Sequence, residues 1–192
     1  MIAGERIPGY RIEGHAIVSD DERIAGPDGQ TPLALSNEAD WLRFQAALDA
    51  AAVVLIGRRS HETNPNRGRR NRLVVSSSAT GIERRSEAWW WNPAEAPLTV
   101  ALKSAAPEGG IVAVPGGHLV FDLLLKIIGF DAFHLARVRG VLIPGGMPLF
   151  SAIETGWTAA DVLAGSGLHA GPTEILDEQA GVTLVTWLRA AG

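Results

Sequence analysis

The chain has 192 residues, a formal net charge of −4 and no cysteine. This length suits one domain with its own core, so we expect a single domain over residues 1–192. The absence of cysteine excludes disulfides, thiolate zinc sites and a cysteine nucleophile, and the acidic balance argues against nucleic-acid binding. No apolar run is long enough to span a bilayer, and the first residues lack a signal-type apolar segment. We therefore expect a cytoplasmic protein that binds neither nucleic acid nor membranes.

Short apolar runs bounded by glycine, proline and serine predict a series of strands. In chain order, these strands are expected at residues 15–18, 53–56, 73–75, 111–114, 133–138 and 182–188. A loop is predicted at 19–30, and helices after a cap at Ser36 or Asn37, at 97–106 and at 119–128. A turn at 177–181 pairs the last strand with an earlier one. The alternation predicts an α/β fold with a mostly parallel sheet and a C-terminal antiparallel hairpin.

The first predicted helix carries a candidate functional acid. Trp41, Phe44, Leu48 and Ala51 recur on one apolar face, and Asp40 lies in the first turn. One interpretation makes Asp40 a carboxylate that interacts favourably with the helix dipole. The other makes it a partly buried acid that hydrogen-bonds a protonated heterocycle beside an aromatic wall. Both interpretations stay open at this point.

Three consecutive tryptophans, Trp89, Trp90 and Trp91, form an unusual aromatic run. Three adjacent side chains cannot all face one core, so we expect at least one to be exposed or to lie in an interface. Together with the C-terminal hairpin, this run predicts a homodimer.

Residues 58–85 carry eight arginines and only two acids, which gives this stretch a charge of about +6. One interpretation is a solvated arginine-rich loop. The other is a local binding site for an anion.

Loops follow three of the predicted strands at their carboxyl ends, where α/β sheets bind ligands. Their residues are Gly57, Arg58, Arg59 and Ser60 in the first loop, Ser76, Ser77 and Ser78 in the second, and Pro115, Gly116, Gly117 and His118 in the third. Adjacent glycines let backbone N–H groups approach a phosphate at a helix start, and arginines and serines suit further phosphate oxygens. A glycine pair alone is more often an ordinary turn. The three loops together favour a phosphorylated dinucleotide such as NADPH.

The five histidines show none of the short spacings typical of metal sites, so no metal site is expected and each histidine is interpreted as structural or superficial. No motif for a covalent nucleophile is present.

Residues 15–150 resemble the dihydrofolate reductase superfamily, most closely the reductase domain of the bifunctional riboflavin-biosynthesis deaminase–reductase. The resemblance is carried, in order, by SDDERIAGPDGQTPLALS, ADWLRF, VVLIGRRSHE, RRNRLVVSS, VAVPGGHLVF and LIPGGMPLF. It implies a three-layer fold and the NADPH-dependent reduction of a pterin or a ribosylaminopyrimidine-type heterocycle. The alternatives are a dihydrofolate reductase and a non-catalytic NADP-binding protein.

The resemblance also assigns roles to residues. Asp40 is the acid that binds and activates the substrate, and Phe44 packs on the substrate ring. Val18 and Ala25 are small walls beside the nicotinamide, and the glycines Gly26 and Gly29 let the 19–30 loop close. The implied cofactor-binding residues are Gly26, Gly57, Arg58, Arg59, Ser60, Ser76, Ser77, Gly116, Gly117, His118, Leu119 and Val120.

Three residues depart from the pattern of these relatives. Glu22 stands where the riboflavin-type proteins usually have glycine, and Ala136 where dihydrofolate reductases usually have a threonine that supports the pterin. Pro115 replaces the first glycine of the cofactor loop, which removes one N–H donor. Pro115 and Ala136 favour the non-catalytic alternative, whereas Asp40, Arg58 and Ser60 favour the enzyme.

Overall fold

The structure, a computed structural model, describes residues 6–190. Its strands are β1 (Tyr10–Val18), β2 (Arg23–Ala25), β3 (Val53–Gly57), β4 (Arg72–Val75), β5 (Ile82–Arg85), β6 (Ala88–Trp91), β7 (Gly110–Val114), β8 (Ala132–Val138), β9 (Met147–Pro148), β10 (Leu168–Asp177) and β11 (Val182–Arg189). Its α-helices are α1 (Glu38–Ala50), α2 (Arg58–Thr63), α3 (Leu98–Ala105), α4 (His118–Ile127) and α5 (Ala159–Gly165). Single 3₁₀ turns lie at Leu33–Leu35 and Ser151–Thr155.

Nine of these strands form one sheet in the order β10-β11-β8-β1-β7-β3-β4-β6-β5. The strands from β8 to β6 run parallel to one another. Antiparallel strands complete both ends, with β5 beside β6 and the β10–β11 hairpin beside β8. The predicted α/β fold, its mostly parallel sheet and its C-terminal hairpin are confirmed. β2 and β9 form a separate two-stranded sheet.

Helices cover both faces of the sheet, which gives three layers. Val53 and Leu55 of β3 face the main core, where α3, α4 and α5 contribute residues such as Leu102, Phe121 and Leu163. The alternate side chains of β3 face the other way, where Val54 packs with Leu48 and Phe44 of α1. Successive strand residues point to opposite faces, so a strand covered on both faces needs the continuous apolar run that the sequence shows.

The tryptophan run lies on β6, and none of its three side chains is fully exposed. Trp89 and Trp91 pack against the main core, whereas Trp90 points to the opposite face and packs with Ile56 and Val74. Trp90 and Trp91 are 9% and 1% exposed. The premise that three adjacent side chains cannot share one core is correct, but the sheet offers a core on each side.

The predicted caps and ends of the helices are largely present. The Asn37 side chain accepts a hydrogen bond from the Asp40 N–H at 3.1 Å and caps α1. Gly129, with φ of +77°, follows the end of α4. The expected apolar face of α1 is only partly buried, because Trp41 is 57% exposed and Ala51 lies just beyond the helix. Within residues 6–190, no helix is long and apolar enough to cross a membrane.

Candidate active site

A large cleft of about 1550 Å³ opens at the carboxyl ends of the parallel strands. β7, β3 and β4 are neighbours in the sheet, so the loops that follow them meet at one edge. The cleft is lined by residues of all three loops, namely Gly57, Arg58, Arg59, Ser60, Ser76, Ser77, Pro115, Gly116, Gly117 and His118, and also by Leu119 and Val120. The sequence-based grouping of these loops therefore corresponds to one continuous surface.

The glycine pair adopts backbone conformations that other residues rarely reach. Gly116 has φ of +123° and Gly117 has φ of +87°. A Cβ atom on Gly117 would come no closer than 3.7 Å to Val120, so the constraint is the backbone conformation and not the space. Gly117 is also the N-cap of α4, and no side chain caps this helix. The first N–H groups of α4 thus lack a side-chain acceptor at the cleft wall.

The two arginines of the first loop have different surroundings. Arg59 donates a hydrogen bond to the carbonyl oxygen of Asp28 at 2.7 Å, and its guanidinium lies over Gly29. Arg58 is exposed in the cleft, and its side chain has no partner among residues 6–190. Arg59 therefore holds the 19–30 loop, whereas Arg58 is free to bind an anion.

Most other arginines of the basic stretch also serve the fold. Four of them make ion pairs, hydrogen bonds or ring contacts: Arg70 with Asp49, Arg72 with the Asn64 carbonyl, Arg84 with Trp89, and Arg85 with Glu83. Arg67 lines the cleft without a side-chain partner in the described part of the chain. The structural interpretation thus fits these four arginines, whereas Arg58 and Arg67 remain available to a ligand in the cleft.

The serine loop presents two kinds of hydroxyl. The hydroxyl oxygens of Ser76 and Ser78 are 2.8 Å apart, and Ser76 also accepts the N–H of Ser78. Ser77 is exposed in the cleft, and within residues 6–190 its hydroxyl has no partner. Ser77 therefore has its full hydrogen-bonding capacity available to a ligand.

Asp40 also lines the cleft, together with Trp41 and Phe44 of the same helix, α1. Burial raises the pKa of Asp40 to about 6, against a smaller lowering effect of Arg43. No donor among residues 6–190 hydrogen-bonds to its carboxylate. The helix is held in place by Asn37, whose side chain donates to Asp177 of β10 at 2.9 Å. Asp40 is thus a firmly positioned, partly buried acid with an unused hydrogen-bonding capacity.

Two stacked histidines form the sheet wall near Asp40. His15 of β1 and His134 of β8 are directly opposite in the sheet, and their ring centroids are 4.7 Å apart. The His15 ring also contacts the edge of Phe44. Burial, and then the neighbouring His134, lower the pKa of His15 to about 4, so this ring is neutral at physiological pH. Both histidines line the cleft.

The sequence analysis did not identify this histidine pair. His15 and His134 are far apart in the chain, and only the pairing of β1 with β8 brings them together. A search for short spacings cannot find such a pair. The interpretation of each histidine as structural or superficial therefore missed that these two lie side by side.

Two residues assigned through the resemblance do not reach the cleft surface. Val18 is completely buried in the main core, so it cannot be a wall beside a ligand in the cleft. Gly26 is also absent from the lining, because it forms a turn in which its N–H donates to Gln30 and its carbonyl accepts from Gly29. Ala25, by contrast, lines the cleft as expected.

The first part of the 19–30 loop is fixed to the rest of the fold. Glu22 accepts hydrogen bonds from Arg137 at 2.8 Å and from the Ala159 N–H at 2.7 Å. Its φ of +61° lies in the left-handed region, which explains why relatives have glycine at this position. β2 is paired with β9 as well. The segment up to Ala25 is therefore held in place on both sides.

Comparison of the structure with solved structures identifies the fold. A dihydrofolate reductase from Enterococcus faecalis complexed with NADP(H) and RAB-propyl aligns with a TM-score of 0.62 at 14% identity, over 94% of this chain and 97% of that one. A putative riboflavin biosynthesis protein from Shewanella sp. PV-4 aligns with a TM-score of 0.62 at 16% identity, over 94% and 99% of the two chains.

Two further similar structures are longer proteins. RibD from Acinetobacter baumannii aligns with a TM-score of 0.65 at 13% identity, over 94% of this chain and 58% of that chain. A deaminase/5-amino-6-(5-phosphoribosylamino)uracil reductase from Thermotoga maritima aligns with a TM-score of 0.60 at 15% identity, over 94% and 57%. No family model and no curated protein matches the sequence. The architecture and these alignments together establish that the chain has the dihydrofolate reductase-like fold.

Proposed function

We propose that the protein is an NADPH-dependent reductase of a pterin or ribosylaminopyrimidine-type heterocycle. The observation that carries the proposal is the composition of one continuous cleft. Phosphate-binding features line one part of it, and an acid with a raised pKa lies at the other. The similar structures from E. faecalis and T. maritima include one bound to NADP(H) and one reductase of a phosphoribosylaminouracil, which agrees with this arrangement.

The residues present fit a phosphorylated dinucleotide. Gly116 and Gly117 leave the backbone bare at the start of α4, where a pyrophosphate is favoured. Arg58 and Ser77 offer an unpaired cation and an unpaired hydroxyl for the 2′-phosphate that distinguishes NADPH from NADH. The cleft volume also exceeds the roughly 300–1000 Å³ of ordinary small-molecule sites, as a dinucleotide together with a substrate requires.

When bound, NADPH supplies a hydride, and the protein positions and polarises the substrate. Phe44 and Trp41 offer aromatic surface for a flat heterocycle, and Asp40 lies in the same helical turn as Trp41. Because the pKa of Asp40 is about 6, a fraction of its carboxyl groups is protonated near neutral pH and can donate a hydrogen bond to a substrate nitrogen. As a carboxylate, it stabilises a protonated substrate nitrogen.

Two alternatives to this proposal are a dihydrofolate reductase and a non-catalytic NADP-binding protein, and they differ from it in activity. A dihydrofolate reductase requires turnover of dihydropterins, whereas a non-catalytic NADP-binding protein requires NADPH binding without any turnover. Ala136 is completely buried and does not line the cleft, so a threonine-type hydroxyl is missing from the position that supports the pterin in dihydrofolate reductases. This observation favours a substrate other than dihydrofolate.

Oxidation of NADPH in the presence of candidate substrates tests the proposal. The panel contains dihydropterins, dihydrofolate and ribosylaminopyrimidines with and without a 5-phosphate. We expect NADPH oxidation with at least one heterocycle and a loss of most turnover in Asp40→Asn, while NADPH still binds. Binding of NADPH with no turnover on any member would support the non-catalytic alternative, and failure to bind NADPH would contradict the proposal.

A further inference from the structure

Glu13, His15 and His134 place three metal-ligand atoms in one small volume. Glu13 and His15 are two residues apart on β1 and therefore point to the same face, and His134 is directly opposite His15 on β8. One ligand atom from each residue lies within 4.8 Å of the other two. Strand pairing thus creates a two-imidazole, one-carboxylate cluster that the spacing of these residues in the chain does not reveal.

One tautomer of His134 leaves two acceptor atoms of the cluster facing one another. His134 Nδ1 lies 3.2 Å from the hydroxyl oxygen of Thr186. When Nδ1 donates its proton to Thr186, Nε2 presents a lone pair to Glu13 Oε2, which is 3.5 Å away. That separation is too long for an ordinary N–H···O hydrogen bond of about 2.7–3.2 Å. A cation between these two atoms removes the unfavourable contact.

His15 supplies the third unsatisfied atom. Its Nε2 is buried and has no hydrogen-bond partner, and the residue is only 7% exposed. Buried polar atoms almost always have a partner in native proteins, so this isolated ring nitrogen calls for an explanation. A bound cation supplies one.

The distances suit a tetrahedral transition-metal ion. Zn–N and Zn–O bonds are about 2.0–2.2 Å, so two ligands of one tetrahedral ion lie roughly 3.4 Å apart. Glu13 Oε2 and His134 Nε2 are already at 3.5 Å. The His15 ring is stacked on His134 at an angle of 12°, so it must turn to aim Nε2 at the same point. The torsion that turns a histidine ring has broad minima, so the turn itself keeps an allowed rotamer, and the contacts of the ring with Phe44 must adjust to it.

The surroundings of the cluster resemble the outer shell of a metal site. Arg11 forms an ion pair with the other carboxylate oxygen of Glu13, Oε1, which leaves Oε2 for an ion. Thr186 fixes the orientation of the His134 ring. Groups of this kind orient ligands in known metal sites. Both histidines line the cleft, so a fourth coordination position would face a ligand or water there.

We propose that Glu13, His15 and His134 bind one divalent transition-metal ion of the Zn²⁺ type, with an open position toward the cleft. The proposal rests on the geometry of these three side chains and does not require the reductase activity. Metal binding is measured without NADPH or substrate, so its outcome is independent of the outcome for the proposed function.

Calorimetric titration of the metal-stripped protein with Zn²⁺ tests the site, and Co²⁺ provides a spectroscopic check. We expect one equivalent of Zn²⁺ to bind, and Co²⁺ to give the intense visible bands of tetrahedral coordination. Glu13→Gln, which keeps the size of the side chain, and His134→Ala should each weaken binding by roughly 100-fold or more. Thr186→Val should weaken it by about 10- to 100-fold, because all three ligands remain but His134 loses its orientation.

His169→Ala is the matched control, because His169 is an exposed histidine on β10 away from the cleft. This variant should bind Zn²⁺ as the parent does. Circular dichroism melts without metal establish that each variant is folded, and Glu13→Gln and Thr186→Val keep the test valid if His134→Ala does not fold. Absence of a stoichiometric site would overturn the proposal. So would Zn²⁺ binding that survives Glu13→Gln unchanged or is lost in His169→Ala.

Discussion

Replacement of Asp40 by asparagine should stabilise the protein at neutral and alkaline pH. The side chain has a pKa of about 6 in the folded protein, against an ordinary value of 3.8, because burial disfavours its charged form. Ionised Asp40 therefore costs folding free energy. Asparagine has nearly the same shape and removes the charge, so the variant avoids this cost.

The magnitude follows from the difference between the two pKa values. Each pKa unit corresponds to about 1.4 kcal/mol, so a shift of this size gives an upper limit of about 3 kcal/mol. The carboxylate remains in contact with solvent in the cleft, and screening reduces the expected gain to about 1–2 kcal/mol. The helix dipole stabilises the ionised carboxylate of the parent by a few tenths of a kcal/mol, which slightly reduces the gain in stability of the variant.

The pH dependence has a definite sign. A raised pKa in the folded state means that the parent is most stable when Asp40 is protonated, below about pH 4. This stability is lost as the pH rises through about 6. The free energies of unfolding of parent and Asp40→Asn should therefore coincide near pH 4. They should diverge above it, with the variant the more stable.

Urea denaturation from pH 4 to pH 8 measures this difference. Glu38→Gln is the matched control, because Glu38 is an exposed acid in the same helical turn. It should change stability by a few tenths of a kcal/mol at most, in the destabilising direction. If Asp40→Asn is instead destabilised at pH 8, or its difference from the parent does not change with pH, Asp40 is an ordinary helix-start carboxylate.

The remaining predictions concern the cofactor loops, the 19–30 loop and assembly. Arg58→Ala should weaken NADPH binding by roughly 10- to 100-fold with little effect on NADH, whereas Arg59→Ala should affect both cofactors equally; calorimetry with the two cofactors distinguishes these patterns. Gly117→Val should remain folded by circular dichroism but lose NADPH binding, and normal binding would make the glycine pair an ordinary turn. Glu22→Ala should lower the free energy of unfolding by about 2–3 kcal/mol, because it removes the contacts of Glu22 with Arg137 and α5. Glu22→Gly should be about 1 kcal/mol more stable than Glu22→Ala, because glycine tolerates the φ of +61° at this position. Urea denaturation measures both differences. The C-terminal hairpin exposes Ile175 and Leu188, which a partner would cover, so light scattering should show a homodimer; a monomer throughout the micromolar range would refute that prediction.

The parallel core of the fold could be predicted because its strands are covered on both faces. Continuous apolar runs such as 53–56 and 111–114 are unmistakable in the sequence, and glycine, proline and serine mark their ends. β5 and β10 were not predicted as separate strands, because they lie at the edges of the sheet and carry many exposed side chains. The short helices α2 and α5 were also missed, since six or seven residues do not establish a helical period.

The meeting of the three loops at the cleft was predictable for a similar reason. Ligand-binding loops follow parallel strands directly, so their order in the chain predicts their common position. The substrate end depends on long-range contacts that local sequence does not contain. The stacking of His15 on His134 requires the β1–β8 register, and the structural role of Arg59 requires the position of Asp28. Val18 was misassigned because its burial in the main core depends on long-range packing that the local sequence does not show.

Calorimetric titration of the unmutated protein with NADPH and with NADH tests the central claim most directly. Arg58 and Ser77 have no partners among the described residues, and a 2′-phosphate provides partners for both, so NADPH should bind at least tenfold more tightly than NADH. Equal affinity for the two cofactors would contradict the assignment of these residues to the 2′-phosphate. Absence of binding to either would contradict the assignment of the cleft to a nicotinamide dinucleotide.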